Sequence, residues 1–333
     1  MKIAFVIGVP VVFAGHGVVG QMLTWKRGLE SLGHNVILVS PWEYYDWKTF
    51  DIVHFFMFSE YVADFIELVC TVNKNIVFSP ILDPNFSIFS MKMLSYWGNT
   101  KFKLSNRYYR IRKIAPLISM FSTRSEFESR YVEKAWGVRR NHIFKVPLSY
   151  NYLNSENSEN RENFCFHASY LADDRKNVKR LVAAAKKFGF PLKLAGKLRN
   201  KCERQKVLSW IENVPNVEYL GFLPQKQLLD TYRKAKVFAL PSTNEGVGIV
   251  ALDAAAMGCD IVVTNLGGPK EYYGSLATRI NPYSIDDIGQ AIVKNLSGFS
   301  KQPALQKYVQ KNFSLRNIAE RLQVMYQKVL DNV

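Results

Sequence analysis

No uncharged apolar run in these 333 residues approaches the roughly 18 needed to cross a bilayer as a helix. The start, Met1-Lys2 followed by a short apolar stretch to Gly8, is too brief for a signal peptide and has no cleavage site behind it. A cytoplasmic protein is the expectation. Cysteine is scarce: Cys70, Cys165, Cys202 and Cys259 form no C-x-x-C pair and no cluster with histidine, which argues against a disulfide framework or a zinc site. All four read as buried thiols. No D-x-D metal motif stands near a strand end, so no metal is expected. With 48% hydrophobic and 22% charged residues the composition is that of a globular protein, and disordered and fibrous classes drop out.

Acid is also missing locally. Between Asp83 and Glu126 there is no Asp or Glu, while Lys92, Lys101, Lys103, Arg107, Arg110, Arg112, Lys113 and Arg124 accumulate among Phe89, Tyr96, Trp97, Phe102, Tyr108 and Tyr109. The whole chain carries a formal charge of +16. Three readings stay open: a solvated basic helix face over an aromatic core, an anionic membrane surface or anionic acceptor, and single-stranded nucleic acid, which fits least. The candidate membrane or acceptor patch is Lys101, Lys103, Arg107, Arg110, Arg112 and Lys113.

The length fits two domains of ordinary size. Strand patterns at 2–7, 35–40, 52–56 and 75–78 alternate with helical ones, beginning at 18–32. This predicts an α/β domain with a parallel sheet over 1–150. A polar Asn/Ser/Glu tract at 151–163 reads as linker. A second alternation fills 164–310: strands at 164–169, 191–195, 217–220, 237–240 and 260–264, with helices at 178–188, 204–213, 225–235 and 248–257. Helical patterns at 285–296 and 303–330 close the chain. Residues 311–333 form a C-terminal helix that can pack back on the first domain.

Gly15, Gly17 and Gly20 match G-x-G-x-x-G, the loop of dinucleotide sites. The context disagrees: Gly15 comes seven positions after Gly8, and the second strand ends at Ser40-Pro41 without the acid that grips a ribose. A glycine loop opening a helix still offers N–H groups to a phosphate or a sugar. The richest segment is 241–258. There a strand ends, Glu245 follows in a polar turn, and Gly246, Val247 and Gly248 lead into a helix carrying Asp253. Asp253 stands eight positions after Glu245, on the order of 12 Å along a helix. The two carboxylates either grip opposite ends of an extended ligand or serve as a helix-start acid and a solvated surface acid.

This segment resembles the E-x7-E signature of retaining glycosyltransferases of the GT-B fold, those of glycosyltransferase family 4. Lys176, in Asp173-Asp174-Arg175-Lys176, falls where members carry a lysine for the donor diphosphate. Gly267-Gly268 and Glu271 resemble a later glycine pair and glutamate. The resemblance implies two Rossmann-like domains with parallel sheets facing across a cleft. It also implies transfer, with retention, of a sugar from a nucleoside diphosphate sugar to a hydroxyl acceptor such as a glycan or lipid-linked saccharide. The implied catalytic residues are Glu245, Lys176 and Asp83. The implied donor contacts are Gly17, His16, Arg175, Lys176, Tyr170, Glu245, Gly246, Val247, Gly248 and Asp253. The sequence departs from the family at several of these. Asp253 replaces a glutamate, Tyr170 an arginine and His16 a glycine, and Asp83 is the nearest polar residue where a histidine is absent. Those departures keep a non-catalytic binding module open, as well as an epimerase or phosphorylase on the same fold.

Overall fold

The computed structural model describes residues 1–8, 17–99, 102, 104–151 and 161–331. His16, Lys101, Lys103 and most of the expected linker lie outside the described residues. The chain divides into two compact units, Met1–Ser149 with Leu315–Val333, and Tyr150–Ser314.

In the first unit β1 (Lys2–Ile7), α1 (Gly17–Ser31), β2 (Asn35–Leu38), β3 (Ile52–Phe56), α2 (Glu60–Val69) and β4 (Ile76–Ser79) follow the expected alternation. The acid-free stretch adds α3 (Ile88–Tyr96) and α4 (Arg107–Ile114), and β5 (Met120–Thr123), α5 (Glu126–Trp136) and β6 (Ile143–Lys145) follow. Side chains start these helices. Ser87, Asn106 and Ser125 each accept a backbone N–H from the first turn behind them, which satisfies donors that a helix otherwise leaves orphaned. All pairings are parallel, in the order β2-β1-β3-β4-β5-β6. The direction of chain progress reverses between β1 and β3. The strands between the edges β2 and β6 are buried nearly throughout, as continuous apolar runs in a sheet covered on both faces must be.

In the second unit β7 (Glu162–Ala168), α6 (Val178–Phe188), β8 (Leu192–Ala195), α7 (Lys201–Ile211), β9 (Val217–Tyr219), α8 (Gln225–Lys234), β10 (Ala235–Leu240), α9 (Ile249–Ala256), β11 (Asp260–Thr264), β12 (Thr278–Ile280), α10 (Ile285–Leu296) and α11 (Ala304–Asn312) build a second parallel sheet. Its order is β12-β11-β10-β7-β8-β9, so the switch point lies between β7 and β10. Cys202, on α7, is exposed rather than buried.

The expected single helix over 303–330 is two. Phe313 leaves helical geometry, accepts a bond from Tyr150 N at 3.3 Å and stacks on Tyr272 at 4.9 Å between centroids. The chain then returns to the first unit as α12 (Leu315–Asp331), which packs on α1. There the Tyr326 hydroxyl lies 2.7 Å from His54 Nδ1, and Ser79 Oγ lies 2.8 Å from Nε2. Burial holds His54 well below the usual histidine range, so a neutral ring ties α12 to β3 and β4.

Candidate active site

The loops after β7 and β10 leave the carboxyl ends of adjacent strands at the switch point, where open α/β sheets bind ligands. Two bonds hold them together, and a third ties the first loop to the segment after β12. Asn177, in the left-handed region at φ 60°, donates its amide to Pro241 O at 2.9 Å and Pro282 O at 2.6 Å, and Thr243 N donates to Arg175 O at 2.8 Å. The short turn Asp174–Lys176 is thereby set against the turn that follows β10. Lys176 Nζ lies 2.6 Å from Glu245 Oε2, and Ser242 Oγ donates to the same oxygen at 3.1 Å. Both partners are largely buried yet reachable, at 20% and 14% side-chain exposure. The structure therefore brings together a cation and a carboxylate that lie 69 positions apart.

Behind Glu245, Gly248 sits at φ 76° and opens α9 without a side-chain cap, so the first-turn N–H groups and the positive end of the helix dipole are not met by a capping side chain. Gly246 and Val247 are buried in the same turn. Gly267 has a steric reason as well as φ 68°: a Cβ there would stand 2.4 Å from the Glu245 carbonyl oxygen. The later glycine thus sets the backbone of Glu245. Only 249–253 of the stretch 245–253 is helical, so helical rise does not fix the separation of its two carboxylates.

The remaining donor candidates are placed differently. Arg175 is held by Asp173 at 2.7 Å. The Tyr170 hydroxyl donates to Glu203, and its ring lies under Arg199 at 4.1 Å. Asp253 is not a solvated surface acid: it is 4% exposed and accepts Asn151 N at 2.7 Å and Asn151 Nδ2 at 3.0 Å. Burial pushes its carboxyl up to about 7, against the two bonds from Asn151. Two further residues carry no sequence signal of their own. Tyr273 is buried with no hydrogen-bond partner for its hydroxyl among the described residues; burial raises that hydroxyl well above the ordinary range, aided by the charges of Tyr272, Asp253 and Glu245. His167, at the end of β7, is lowered to about 4 by burial and bonds Ala239 O of β10 and Ser169, so a neutral ring joins the two strands.

In the first unit Gly17 begins α1 and is exposed, and no atom of the described residues stands within 4 Å of where its Cβ would go. Asp83 is not a free acid: Arg124 Nη2 bonds it at 2.8 Å, and the same arginine pairs with buried Glu128 at 3.1 Å. Within the basic patch, Arg110 is neutralised by Asp64 and Glu67 of α2. Arg107 stacks over Phe58 and Tyr108, each 5.1 Å away, and Arg112 lies 3.5 Å from the Tyr96 ring centre. Lys113 is exposed. No helix among the described residues is long and apolar enough to cross a membrane.

Residues 152–312 match the family described as Glycosyl transferases group 1. Over 196 residues the chain is 28% identical to an uncharacterized glycosyltransferase of Methanocaldococcus jannaschii, covering 54% of each chain. Over 145 residues it is 28% identical to the O-antigen chain mannosyltransferase B of Escherichia coli, covering 39% of this chain and 36% of that one. The chain thus spans about half or less of the length of these curated relatives. Among solved structures, sucrose-phosphate synthase from Thermosynechococcus elongatus superposes with a TM-score of 0.75 at 14% identity, covering 100% of both chains. That likeness is one of fold, and the fold is GT-B: two doubly wound α/β units with parallel sheets.

Proposed function

We propose that the chain transfers a sugar from a nucleoside diphosphate sugar to a hydroxyl acceptor with retention at the anomeric carbon. The observation that carries this is the Lys176–Glu245 pair at the β7/β10 switch point, ahead of the uncapped start of α9. Lys176 and the helix start meet the diphosphate and stabilise its charge as the bond from the anomeric carbon to the leaving phosphate oxygen breaks. The acceptor oxygen forms the new bond, and its proton passes to the departing diphosphate. Glu245, once the diphosphate takes Lys176, accepts hydroxyls of the donor sugar. The buried Tyr273 hydroxyl has a bond to give. The glutamate that Asp253 replaces in the resembled signature holds the donor ribose, and Asp253 takes that part only by exchanging the Asn151 amide for a ribose hydroxyl. In this reading the chain's own cations take the place of a metal.

A panel of nucleoside diphosphates and nucleotide sugars, screened for thermal stabilisation with EDTA present, tests the reading. At a hundred times Kd a ligand of the native state adds about 2.7 kcal/mol. We expect one base to stabilise the wild type and to lose its effect in Lys176→Ala. If no nucleotide stabilises the chain, the non-catalytic binding module replaces this proposal. Release of free epimerised sugar nucleotide, or dependence on phosphate, identifies the epimerase or phosphorylase.

We also propose that the α3–α4 face meets an anionic membrane surface. Phe89, Trp97 and Phe102 are exposed beside Arg107, Arg112 and Lys113, the mixture that suits an interface of anionic headgroups and acyl chains. At about 1 kcal/mol per cation, Arg112→Gln or Lys113→Gln each weakens binding to phosphatidylglycerol vesicles by about fivefold at low salt. Arg110→Gln does less, because Asp64 and Glu67 already neutralise that arginine. Equal binding to phosphatidylcholine vesicles, or no loss in either variant, overturns the membrane reading.

A further inference from the structure

The first unit holds a cavity of about 1190 Å³ at the carboxyl ends of β1 and β2, beside the point where the strand order reverses. Its walls are Val6 and Ile7 of β1 with Gly8 after them, the loop after β2, and Tyr61 and Phe65 of α2. That loop is aromatic: Trp42, Tyr44, Tyr45 and Trp47 fall within six positions. Two of these rings form a fixed floor. Trp47 meets Phe65 edge-on at 5.3 Å, and Tyr45 packs on Trp47 at 5.9 Å, its hydroxyl bonded to Glu43 at 2.5 Å and reached by Ser40 N at 3.0 Å. The other two stand in water. Trp42 is 92% exposed and Tyr44 95%, more than any other large hydrophobic side chain among the described residues.

Large rings left in solvent along the same cavity as a preformed aromatic floor make a poor structural element and a good flat-faced binding site. The rim decides the ligand. Glu43, Asp46 and Lys48 line the same cavity, so its charged groups are two carboxylates and one ammonium. An anionic headgroup meets net repulsion there, and a bare hydrocarbon chain strips water from carboxylates without replacing their hydrogen bonds. A neutral pyranose suits both features, since its axial C–H faces lie flat on aromatic rings and its equatorial hydroxyls bond carboxylates at the edge.

We propose that this cavity binds a neutral pyranose ring of a saccharide acceptor, stacked on Trp42 and Tyr44 with its hydroxyls on Glu43 and Asp46. The inference rests on the transferase reading, for which it supplies the acceptor class. Protein labelled with 5-fluorotryptophan carries six tryptophan resonances. Titration with the methyl pyranosides of glucose, galactose, mannose and N-acetylglucosamine should shift the Trp42 and Trp47 resonances, assigned by Trp42→Phe and Trp47→Phe, for at least one sugar. Trp97 and Trp210, outside the cavity, should stay in place. Tyr44→Ala, which removes an exposed ring and leaves no internal hole, should weaken that sugar at least about tenfold while keeping stabilisation by the nucleoside diphosphate. The proposal is overturned by a silent Trp42 with all four sugars, by undiminished binding in Tyr44→Ala, or by a shift seen only with a detergent-dispersed isoprenoid. Loss of nucleotide stabilisation in the wild type, with sugar binding intact, would instead count against the transferase reading.

Discussion

Lys176→Ala and Glu245→Ala should each reduce kcat/KM for sugar transfer by at least about a thousandfold while leaving a folded protein. Removing one preorganised donor from a developing charge typically costs a factor of about 10²–10³, and Lys176 contributes a full charge at a site only 20% exposed. Glu245 works differently. Its carboxylate already accepts from Lys176 at 2.6 Å and from Ser242 at 3.1 Å, so it is oriented before any ligand arrives. Its loss therefore removes a positioned acceptor and also frees Lys176 to move. Because the bound donor separates the pair and each residue then meets a different part of it, the two losses should be close to additive, and a double-mutant cycle reads any remaining coupling directly. Folding is monitored by thermal melting, where losing one partner of a partly buried pair should cost about 1–3 kcal/mol. Turnover within tenfold of wild type in Glu245→Ala would remove the β7/β10 switch point as the seat of the reaction.

Glu245 was legible from the turn after a strand at 237–240 and Lys176 from the family resemblance, but their pairing with one another was not, because it needs β7 and β10 to be neighbours in the sheet. The later glycine was legible in kind, although its cause was not: only the structure sets the position of a Gly267 Cβ against the Glu245 carbonyl. What stayed hidden depends on pairing across long separations. Asp83 looked available because its partner, Arg124, arrives 41 positions later, just after β5, and brings Glu128 with it. The stretch free of acid in sequence is not free of it in space, since α2 supplies Asp64 and Glu67 to Arg110. The break at Phe313 was hidden for the same reason. Apolar periodicity continues across it, while the chain changes units there.

Asp253 gives the second large effect, and its sign is opposite to that of most acids in folded proteins. An unfolded aspartate titrates near 3.8; burial raises this one to about 7, with Asn151 opposing. Between those values the folded chain binds more protons than the unfolded chain, so stability falls as pH rises. The protonated acid's contribution is complete below pH 3.8 and is lost as pH climbs through about 7. Asp253→Asn keeps the size and removes the charge. It should match the wild type near pH 4 and exceed it at pH 8 by about 2–4 kcal/mol in denaturant unfolding. Parallel stability curves for the two proteins would mean that the carboxylate pays no burial cost. A buried acid that lowers stability at neutral pH calls for a role other than packing. In the transferase reading that reason is a ribose hydroxyl, which takes the place of the Asn151 amide against Asp253 Oδ2. The stabilised asparagine variant should then bind the nucleoside diphosphate more weakly by about tenfold, and unchanged nucleotide affinity would leave Asp253 as an anchor for Asn151 alone.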